Sequence, residues 1–343
     1  MTSSTPRLQP CCKWLFAAAL SGALLSCGKA PDKDSLVVYS ARNEQLIKPL
    51  FDQYTAETGT KIAFVTDSAG PLLQRLQAEG KNTPADILLT VDAGNLWQAA
   101  DSGLLQSVNS TTLEQAIPKY LRDPENRWFG LSVRARTLVY STERVKPAEL
   151  QGYAELAEPQ WRGRLCLRTS KKVYNQSLVA MLMSQYGEAK TEQIVKGWVN
   201  NLATAPFSND TKAMEAIMAG QCDVAIVNSY YFGRLEKDQP DLPLALFWAD
   251  QAGAGVHVNV SGAGVTAASN KVSGATNLIE WLASAEAQKQ FAGDNLEFPA
   301  NPAVEPVATV RAWGKYKPNV INVADAGELQ ADAVKLMDRA GYK

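Results

Sequence analysis

The chain has 343 residues, of which 46% are hydrophobic and 20% are charged, and its formal net charge is −1. This composition excludes a disordered or fibrous chain, and the length favours two lobes of ordinary domain size over a single core. A nucleic-acid partner is also excluded, because binding such a polymer requires a concentrated basic surface and the body of the chain contains no basic run.

The amino terminus has the pattern of a secretory signal. Arg7 and Lys13 supply a positive region, and Trp14–Leu25 is an apolar region that is too short to span a bilayer comfortably. A buried apolar helix is the alternative interpretation of this stretch. We predict a signal peptide at 1–26 and export of the mature protein to the periplasm.

The signal ends in Leu24-Leu25-Ser26-Cys27, which resembles a bacterial lipoprotein signal. Cleavage there leaves Cys27 as a lipidated first residue, and this lipid is the only membrane attachment that we expect. Plain cleavage and release is the alternative, because a leucine is less usual at the middle position of such a signal. The polar, proline-containing segment at 27–35 is predicted as a tether.

Cysteine usage agrees with export. Cys11 and Cys12 leave with the signal, so only Cys166 and Cys222 remain in the mature body beside Cys27. Two cysteines in an oxidising compartment are expected to pair, and two buried free thiols are the alternative. Neither has another cysteine or a histidine at the spacing of a zinc site.

In the first part of the mature chain, short apolar strands alternate with helices. The pattern predicts strands at Leu36–Ser40, Lys61–Val65 and Pro84–Thr90, helices at Glu44–Thr58 and Gly70–Gly80, and a further helix that starts at Asp92 or Asn95. This alternation is typical of parallel βαβ units, in which ligands sit beyond the carboxyl ends of the strands.

A second alternating set begins near Gly163. It has predicted strands at Arg164–Leu167 and Asp223–Val227 and predicted helices at Ser177–Gly187, Thr191–Leu202 and Thr211–Ala219. Helical spacing returns at Ala275–Ala292 and Glu328–Ala340. The extended segments Phe129–Tyr140 and Leu244–Val260 are predicted to cross between the two sets.

Two alternating sets joined by crossing strands predict an α/β fold with two lobes and a ligand cleft between them. We expect the first lobe at 36–130 and 255–300, and the second lobe at 131–254 and 301–343. Together with export, this architecture indicates a solute-binding protein.

The sharpest local feature is Asn228-Ser229-Tyr230-Tyr231, which follows an apolar strand and precedes a helix-like segment. Inside a strand, neighbouring side chains point to opposite faces and cannot share one ligand. At a strand-to-helix turn they can converge, with Asn228 or Ser229 as the N-cap and both phenols at the positive end of the helix dipole. Aromatic packing at a strand end is the alternative.

Phenols in such a position suit a hard metal ion. A free tyrosine has a pKa of about 10, but a bound trivalent cation removes protons from its ligands. Ferric iron is small and hard and prefers anionic oxygen to sulfur. Two or three phenolates therefore favour it over softer divalent ions.

Several segments resemble the periplasmic ferric-iron-binding proteins of bacterial ABC importers, a family within the two-lobed type II periplasmic-binding-protein fold. The matching segments follow one another in the same order over nearly the whole mature chain. They are Val38–Arg42, Pro84–Ile87, Gly130–Tyr140, Asn228–Tyr231, His257–Gly264 and Glu297–Pro299. The resemblance implies a monomer that carries ferric iron (Fe3+) as cargo and delivers it to an ABC importer permease.

The resemblance also implies the ligands. In the family, adjacent tyrosines bind iron and many members add a third from the arginine-rich strand, which corresponds to Tyr230, Tyr231 and Tyr140. Many members also have His-Tyr after the opening Tyr-Ser-x-Arg, where this chain has Asn43 and Glu44. Asn43 is a poor ferric ligand, whereas Glu44 offers a carboxylate.

With fewer protein ligands, the resemblance implies that an exogenous anion such as carbonate, or water, completes the site. A guanidinium binds planar oxyanions, so Arg42 and Arg136 are expected to hold this anion; bridging the lobes or surface packing is the alternative. Some members link the strands that carry Cys166 and Cys222 by a disulfide. His257 is the only histidine, and its match to the run that returns the chain to the first lobe implies a structural role; ligation of the metal is the alternative.

Other functions remain as alternatives. An enzyme is not expected, because the chain lacks a Gly-x-Ser-x-Gly elbow, a Walker-type loop and a His-Glu-x-x-His helix. The same fold can bind an organic or oxyanion solute, such as a polyamine or a phosphonate, without a metal. A sensor or chaperone that feeds no transporter is the third interpretation.

Overall fold

One β-sheet organises the protein in the computed structural model, which describes residues 35–343. Within this range the sheet has nine strands in the order β2-β1-β3-β8-β4-β6-β5, and β7 and β9 add to β4. The strands are β1 (Leu36–Ser40), β2 (Ile62–Thr66), β3 (Ile87–Thr90), β4 (Phe129–Ser141), β5 (Leu165–Cys166), β6 (Val224–Asn228), β7 (Leu244–Phe247), β8 (His257–Val265) and β9 (Phe298–Pro299). The predicted signal peptide and Cys27 lie outside the described residues.

Helices follow most of the strands. They are α1 (Glu44–Thr58), α2 (Ala69–Glu79), α3 (Ala93–Asp101), α4 (Thr111–Ala116), α5 (Val173–Tyr186), α6 (Glu188–Asn201), α7 (Asp210–Met218), α8 (Ser229–Asp238), α9 (Val272–Leu282), α10 (Ala285–Gly293), α11 (Ala308–Ala312), α12 (Val323–Glu328) and α13 (Gln330–Arg339). None of these helices is long and apolar enough to cross a membrane.

The sheet combines parallel ends with an antiparallel middle. β1 pairs in parallel with β2 and β3, as the βαβ alternation predicts, and β5 pairs in parallel with β6. Between these ends lies β4, a fully buried strand of 13 residues. Its first part, Phe129–Arg136, is antiparallel to β8, and its last part, Arg136–Tyr140, is antiparallel to β6. β4 therefore links the two alternating sets.

Helix α1 shows how local sequence sets the element bounds. Its buried face consists of Ile47, Leu50, Phe51 and Tyr54, which recur at helical spacing. The Asn43 side chain accepts a hydrogen bond from the Gln45 amide and caps the first turn. Gly59 ends the helix in a left-handed conformation at φ 73°. Both bounds match the sequence prediction.

Two predicted elements are interrupted in the structure. The extended segment Leu244–Val260 is interrupted between β7 and β8, because Asp250 and Gly255 adopt φ values of 56° and 97° that a strand does not allow. The helical stretch Ala275–Ala292 is two helices, and Ser284 caps the second of them. The stretch predicted at Glu328–Ala340 matches α13, and the short helix α12 that precedes it was not predicted.

A small hydrophobic cluster fixes β6, α7 and α8 to one another. Its buried members include Met214, Ile217, Val227 and Phe232. Because these side chains leave few voids, the start of α8 is held firmly against the end of β6.

Helix α12 packs against both α3 and α5. A Cβ atom on Gly327 would lie 2.5 Å from the Trp97 Cβ atom and 3.1 Å from the Gly94 Cα atom. Only glycine therefore allows α3 and α12 to approach this closely. The described residues belong to one compact unit of the chain, and the bounds of the two lobes stay a prediction.

Candidate metal site

The two adjacent tyrosines lie at the strand-to-helix turn that the sequence predicted. β6 ends at Asn228, and α8 begins at Ser229. The rings of Tyr230 and Tyr231 face the same region, with their centroids 4.3 Å apart and their planes inclined by 33°. Tyr230 is buried and Tyr231 is partly exposed. Both phenols lie in the first turn of a helix, where the dipole favours negative charge.

A third phenol, that of Tyr174, joins this pair, and the sequence analysis missed it. Tyr174 is the second residue of α5, and its phenol lies close enough to Tyr230 to help raise the pKa of Tyr230. β5 and β6 are parallel neighbours, so the helices that follow them begin at the same edge of the sheet. Two helix starts therefore bring three phenols together.

Tyr140 does not lie with the pair. It is opposite Val224 at the beginning of β6, whereas Arg136 is opposite Asn228 at the end of β6. Four residues of strand separate these positions, which is about 13 Å. Tyr140 is only 7% exposed and belongs to the hydrophobic core. Because β4 runs antiparallel to β6, each step beyond Arg136 moves away from α8. Contrary to expectation, the structure therefore does not bring Tyr140 to the tyrosine pair, and Tyr174 lies there instead.

Burial keeps the central phenol protonated in the absence of a cation. The pKa of Tyr230 is held well above its usual value, first by burial and then by Tyr174 and Tyr231, whose negative charge would repel a phenolate. Arg134 acts in the opposite direction without overcoming these effects. A ligand that turns this phenol into a phenolate must therefore bring a strong positive charge.

Two buried guanidinium groups lie over the phenol rings. Arg134 and Arg168 are 5.6 and 5.4 Å from the centroid of the Tyr174 ring, and Arg168 is also 5.8 Å from that of Tyr231. The two arginines are 2% and 5% exposed. The phenols and the guanidiniums thus form one mixed cluster.

Arg234 adds a third guanidinium at a more exposed position. It lies 5.2 Å from the Tyr230 ring and 5.8 Å from the Tyr231 ring, and it donates a hydrogen bond to Asn295. Three positive groups therefore surround the tyrosines.

Several buried donors in this cluster have no hydrogen-bond partner among the described residues. They are Arg134 Nε, Arg168 Nε and Nη1, Asn228 Nδ2 and Ser229 Oγ. A buried donor without an acceptor is costly. The cluster is therefore suited to a ligand that is rich in acceptor oxygens.

Arg42 does not face the tyrosines. Its guanidinium forms an ion pair with Glu297 at 3.3 Å and donates to the Phe291 carbonyl at 2.6 Å and to Ser261 Oγ at 3.1 Å. It is 2% exposed. These contacts hold α10, β8 and the residue before β9 around the end of β1, which is a structural role.

Arg136 is also fully engaged. Its guanidinium donates to Asn175 Oδ1, Asn228 Oδ1 and the Ile226 carbonyl, and it forms a buried ion pair with Asp210 at 3.1 Å. The structure therefore does not support the expectation that Arg42 and Arg136 bind an anion. Arg136 has protein partners for all its donors, and Arg42 has protein partners for both Nη groups and keeps an unpartnered Nε. Arg134 and Arg168 combine unpartnered donors with a position over the tyrosine rings.

Glu44 is the exposed first residue of α1, and the preceding Asn43 is used as the helix cap. No hydrogen bond or ion pair joins Glu44 to the three tyrosines in the described part of the chain. Among residues 35–343, no group of three or more His, Cys, Asp or Glu side chains could hold a metal ion.

Comparison with known proteins identifies the family. A model described as a bacterial extracellular solute-binding protein matches residues 82–321. The chain belongs to this family. Iron uptake protein A1 from Synechocystis sp. is 40% identical over 96% of both chains. The major ferric iron-binding protein of Neisseria meningitidis is 25% identical over 96% of this chain and 98% of its own.

Solved structures confirm the fold of this solute-binding protein. FutA from Trichodesmium, in complex with iron and citrate, has a TM-score of 0.87 and 40% identity, covering 90% of this chain and all of its own. Ferric iron-binding protein A from Mannheimia haemolytica, in an open conformation, has a TM-score of 0.84 and 35% identity, covering 90% and 99%. The predicted two-lobed α/β fold is confirmed, and the relatives are solute-binding transport proteins, not enzymes.

The two remaining predictions concern cysteine and histidine. Cys166 and Cys222 are joined in this solute-binding protein, with their Cα atoms 5.9 Å apart, and oxidation of the pair in the cell stays a prediction. His257 is buried in β8 opposite Arg136, and burial together with that positive charge lowers its pKa to about 3. Its amide donates to the Tyr153 hydroxyl. This position is compatible with the structural role that was predicted.

Proposed function

We propose that this solute-binding protein binds ferric iron in the periplasm through the phenolates of Tyr174, Tyr230 and Tyr231. The observation that carries the proposal is the convergence of three phenols at two neighbouring helix starts. Relatives named for ferric iron and iron uptake support the choice of cargo.

The donor chemistry supports a trivalent ion. Three phenolates balance the charge of Fe3+, and hard anionic oxygen is the donor that such an ion prefers. A divalent ion gives less compensation for removing the proton from a buried phenol such as Tyr230.

An exogenous anion completes the coordination in this proposal. Arg134 and Arg168 would hold it, because their unpartnered N–H groups lie beside Tyr174. Carbonate fits this role. Citrate, which is bound with iron in the Trichodesmium relative, is a second candidate anion.

Transport follows from the two-lobed fold. We infer a first lobe at 36–130 and 255–300 and a second at 131–254 and 301–343, with the iron ligands in the second. Closure of the lobes would shield the bound ion, and reopening at an ABC importer permease would release it. Export by the signal peptide, lipidation of Cys27, a monomeric state and a Cys166–Cys222 disulfide belong to the same proposal.

An oxyanion solute without metal is the second candidate. The unpartnered donors of Arg134, Arg168 and Asn228 favour a phosphonate-like ligand as much as an anion beside iron. The three guanidiniums of Arg134, Arg168 and Arg234 disfavour a polyamine, because positive charges would face each other.

A matched pair of variants tests the iron proposal. After addition of ferric citrate, the wild type should develop the orange to red phenolate-to-iron charge-transfer band. Tyr174→Phe should weaken or shift this band, and Tyr140→Phe, at a core position, should leave it unchanged. A colourless wild type that binds a phosphonate would favour the second candidate. Loss of the band in Tyr140→Phe alone would show that the ligand set is wrong.

A further inference from the structure

Arg136 connects the neighbours of all three tyrosines. Its Nε donates to Asn175 Oδ1 at 2.9 Å, and Asn175 directly follows Tyr174. Its Nη1 donates to Asn228 Oδ1 at 3.1 Å, and its Nη2 donates to the Ile226 carbonyl at 3.1 Å, just before the turn that carries the tyrosine pair. One side chain thus bonds both tyrosine-bearing helix starts.

Asp210 holds this arginine from the start of a third helix. It is fully buried as the first residue of α7. Its Oδ2 accepts from Arg136 Nη1 at 3.1 Å and from the Asn228 amide at 3.0 Å. Its Oδ1 accepts from Arg136 Nη2 at 3.5 Å and lies 3.7 Å from Nη1 of Arg168, the guanidinium over Tyr174 and Tyr231.

The bonds of Arg136 account for every donor that it has. A guanidinium carries five N–H groups in a planar fork, and here they are directed to Asn175, twice to Asp210, to Asn228 and to Ile226. A planar group with all its donors used keeps its acceptors at fixed separations and directions. Asn175 also donates to the carbonyls of Arg168 and Thr169, so the loop before α5 is fixed with it.

We propose that the buried Arg136–Asp210 pair is the positioning element of the metal site, which sets the spacing of the Tyr174 phenol relative to Tyr230 and Tyr231. This inference rests on the proposed binding of ferric iron by those phenols. The pair does not touch the ion. It holds the two helix starts in place before iron arrives, so that three phenols reach one ion without rearrangement of the backbone.

Two variants weaken the pair in different ways. Arg136→Lys keeps the charge opposite Asp210 but replaces the planar fork by a single ammonium group. Asn228→Ala is milder, because it removes one acceptor of Arg136 and leaves the Asn228 amide bonded to Asp210. If Arg136→Lys fails to fold, Asn228→Ala still tests the inference.

Asp223→Asn is the matched control. Asp223 immediately precedes β6 at the opposite end from Asn228, and it is ion-paired with Arg144 at 2.7 Å and with Arg164 at 2.6 Å. This control weakens the anchoring of the same strand away from the tyrosines.

The measurements are the position of the charge-transfer band, the rate of iron loss to a chelator, and the midpoint of thermal unfolding. We expect Arg136→Lys and Asn228→Ala to shift the band and to accelerate iron loss by about tenfold or more. We expect Asp223→Asn to lower the midpoint of thermal unfolding but to leave the position of the charge-transfer band and the rate of iron loss at their wild-type values.

The inference would be overturned if both site variants kept the wild-type band and the wild-type rate of iron loss while their unfolding midpoints fell. The ion pair would then be structural only. An equal acceleration in Asp223→Asn would overturn it as well, since strand stability would then explain the effect. A wild type without any band would instead refute the proposed iron binding, and this inference with it.

Discussion

The starts of α1 and α8 look alike in sequence but differ in the use of one asparagine. Each helix follows a strand of the sheet and is preceded by an asparagine at the N-cap position, Asn43 for α1 and Asn228 for α8. At α1 the Asn43 side chain accepts from the Gln45 amide at 3.1 Å. At α8 the Asn228 side chain makes no capping bond, and its oxygen accepts from Arg136 instead.

This difference separates a closed helix start from one that can take a ligand. Helix α1 begins at the exposed Glu44, and its capped first turn offers no cluster of unpartnered donors. At the start of α8, Asn228 Nδ2 and Ser229 Oγ are buried without partners, and two phenols follow them. A helix whose cap is diverted to a neighbouring arginine keeps its positive end for other groups.

Acidification should have the largest effect on iron binding at the start of α8. The pKa of Tyr230 lies above its usual value in the free protein, so this phenol is protonated at neutral pH, and binding as a phenolate releases its proton. If all three phenols ionise on binding, the apparent affinity for iron rises with pH and falls by about three decades for each pH unit of acidification. Competition against a chelator of known protonation between pH 7 and 5 measures the slope. A pH-independent affinity after correction would contradict phenolate ligation.

Removal of one phenol is the next largest change. Structural metal sites with four ligands bind with about 10–16 kcal/mol, so one ligand is worth about 3 kcal/mol, or about a hundredfold in affinity. Tyr231→Phe should lose about this much in a chelator competition. Glu44→Gln, at the start of α1, should retain the wild-type affinity. A comparable loss in Glu44→Gln would mean that both helix starts contribute ligands.

The smallest expected effect concerns the cap of α1. Asn43→Ala removes the bond to the Gln45 amide and should lower the free energy of unfolding by about 1 kcal/mol. Denaturant unfolding measures the change, and the charge-transfer band should be that of the wild type. A shifted band would show that α1 and the iron site are coupled.

Much of the fold could be predicted from the periodicity of apolar residues. The bounds of α1 were predicted correctly because its buried face, its cap and Gly59 all agree. The break near Asp250 was missed although Gly253 and Gly255 lie in it, because the positive φ of a non-glycine residue such as Asp250 cannot be read from its type. The helix predicted at Glu328–Ala340 corresponds to α13, whereas the short helix α12 before it was not predicted.

The site was predicted in part. The tyrosine pair was found because a strand-to-helix turn was recognised before it. The same argument applies to Tyr174, which begins the helix after β5, but the start of α5 was placed at Ser177 and not at Val173. Asn175 explains this error: a buried asparagine in the first turn interrupts the apolar pattern, and its role is to bond Arg136 and the loop before α5.

The choice among the arginines could not be made from sequence. Arg134 and Arg136 lie two residues apart on one buried strand, and only the pairing of that strand decides which of them meets Asp210. Arg136 faces the end of β6 and is fully bonded, whereas Arg134 faces Asn259 of β8 and keeps an unpartnered Nε.

We expect helix α12 to limit how far the two inferred lobes can separate. It touches α3 and α5 at once, and α5 begins with the residues around Tyr174. A rotation of one lobe relative to the other about the crossing strands would therefore move α12 along α3 or along α5. Gly327 lies so close to α3 that there is no room for a Cβ atom between them. We therefore expect α12 to stay with α3 and to move along α5 when the inferred lobes open.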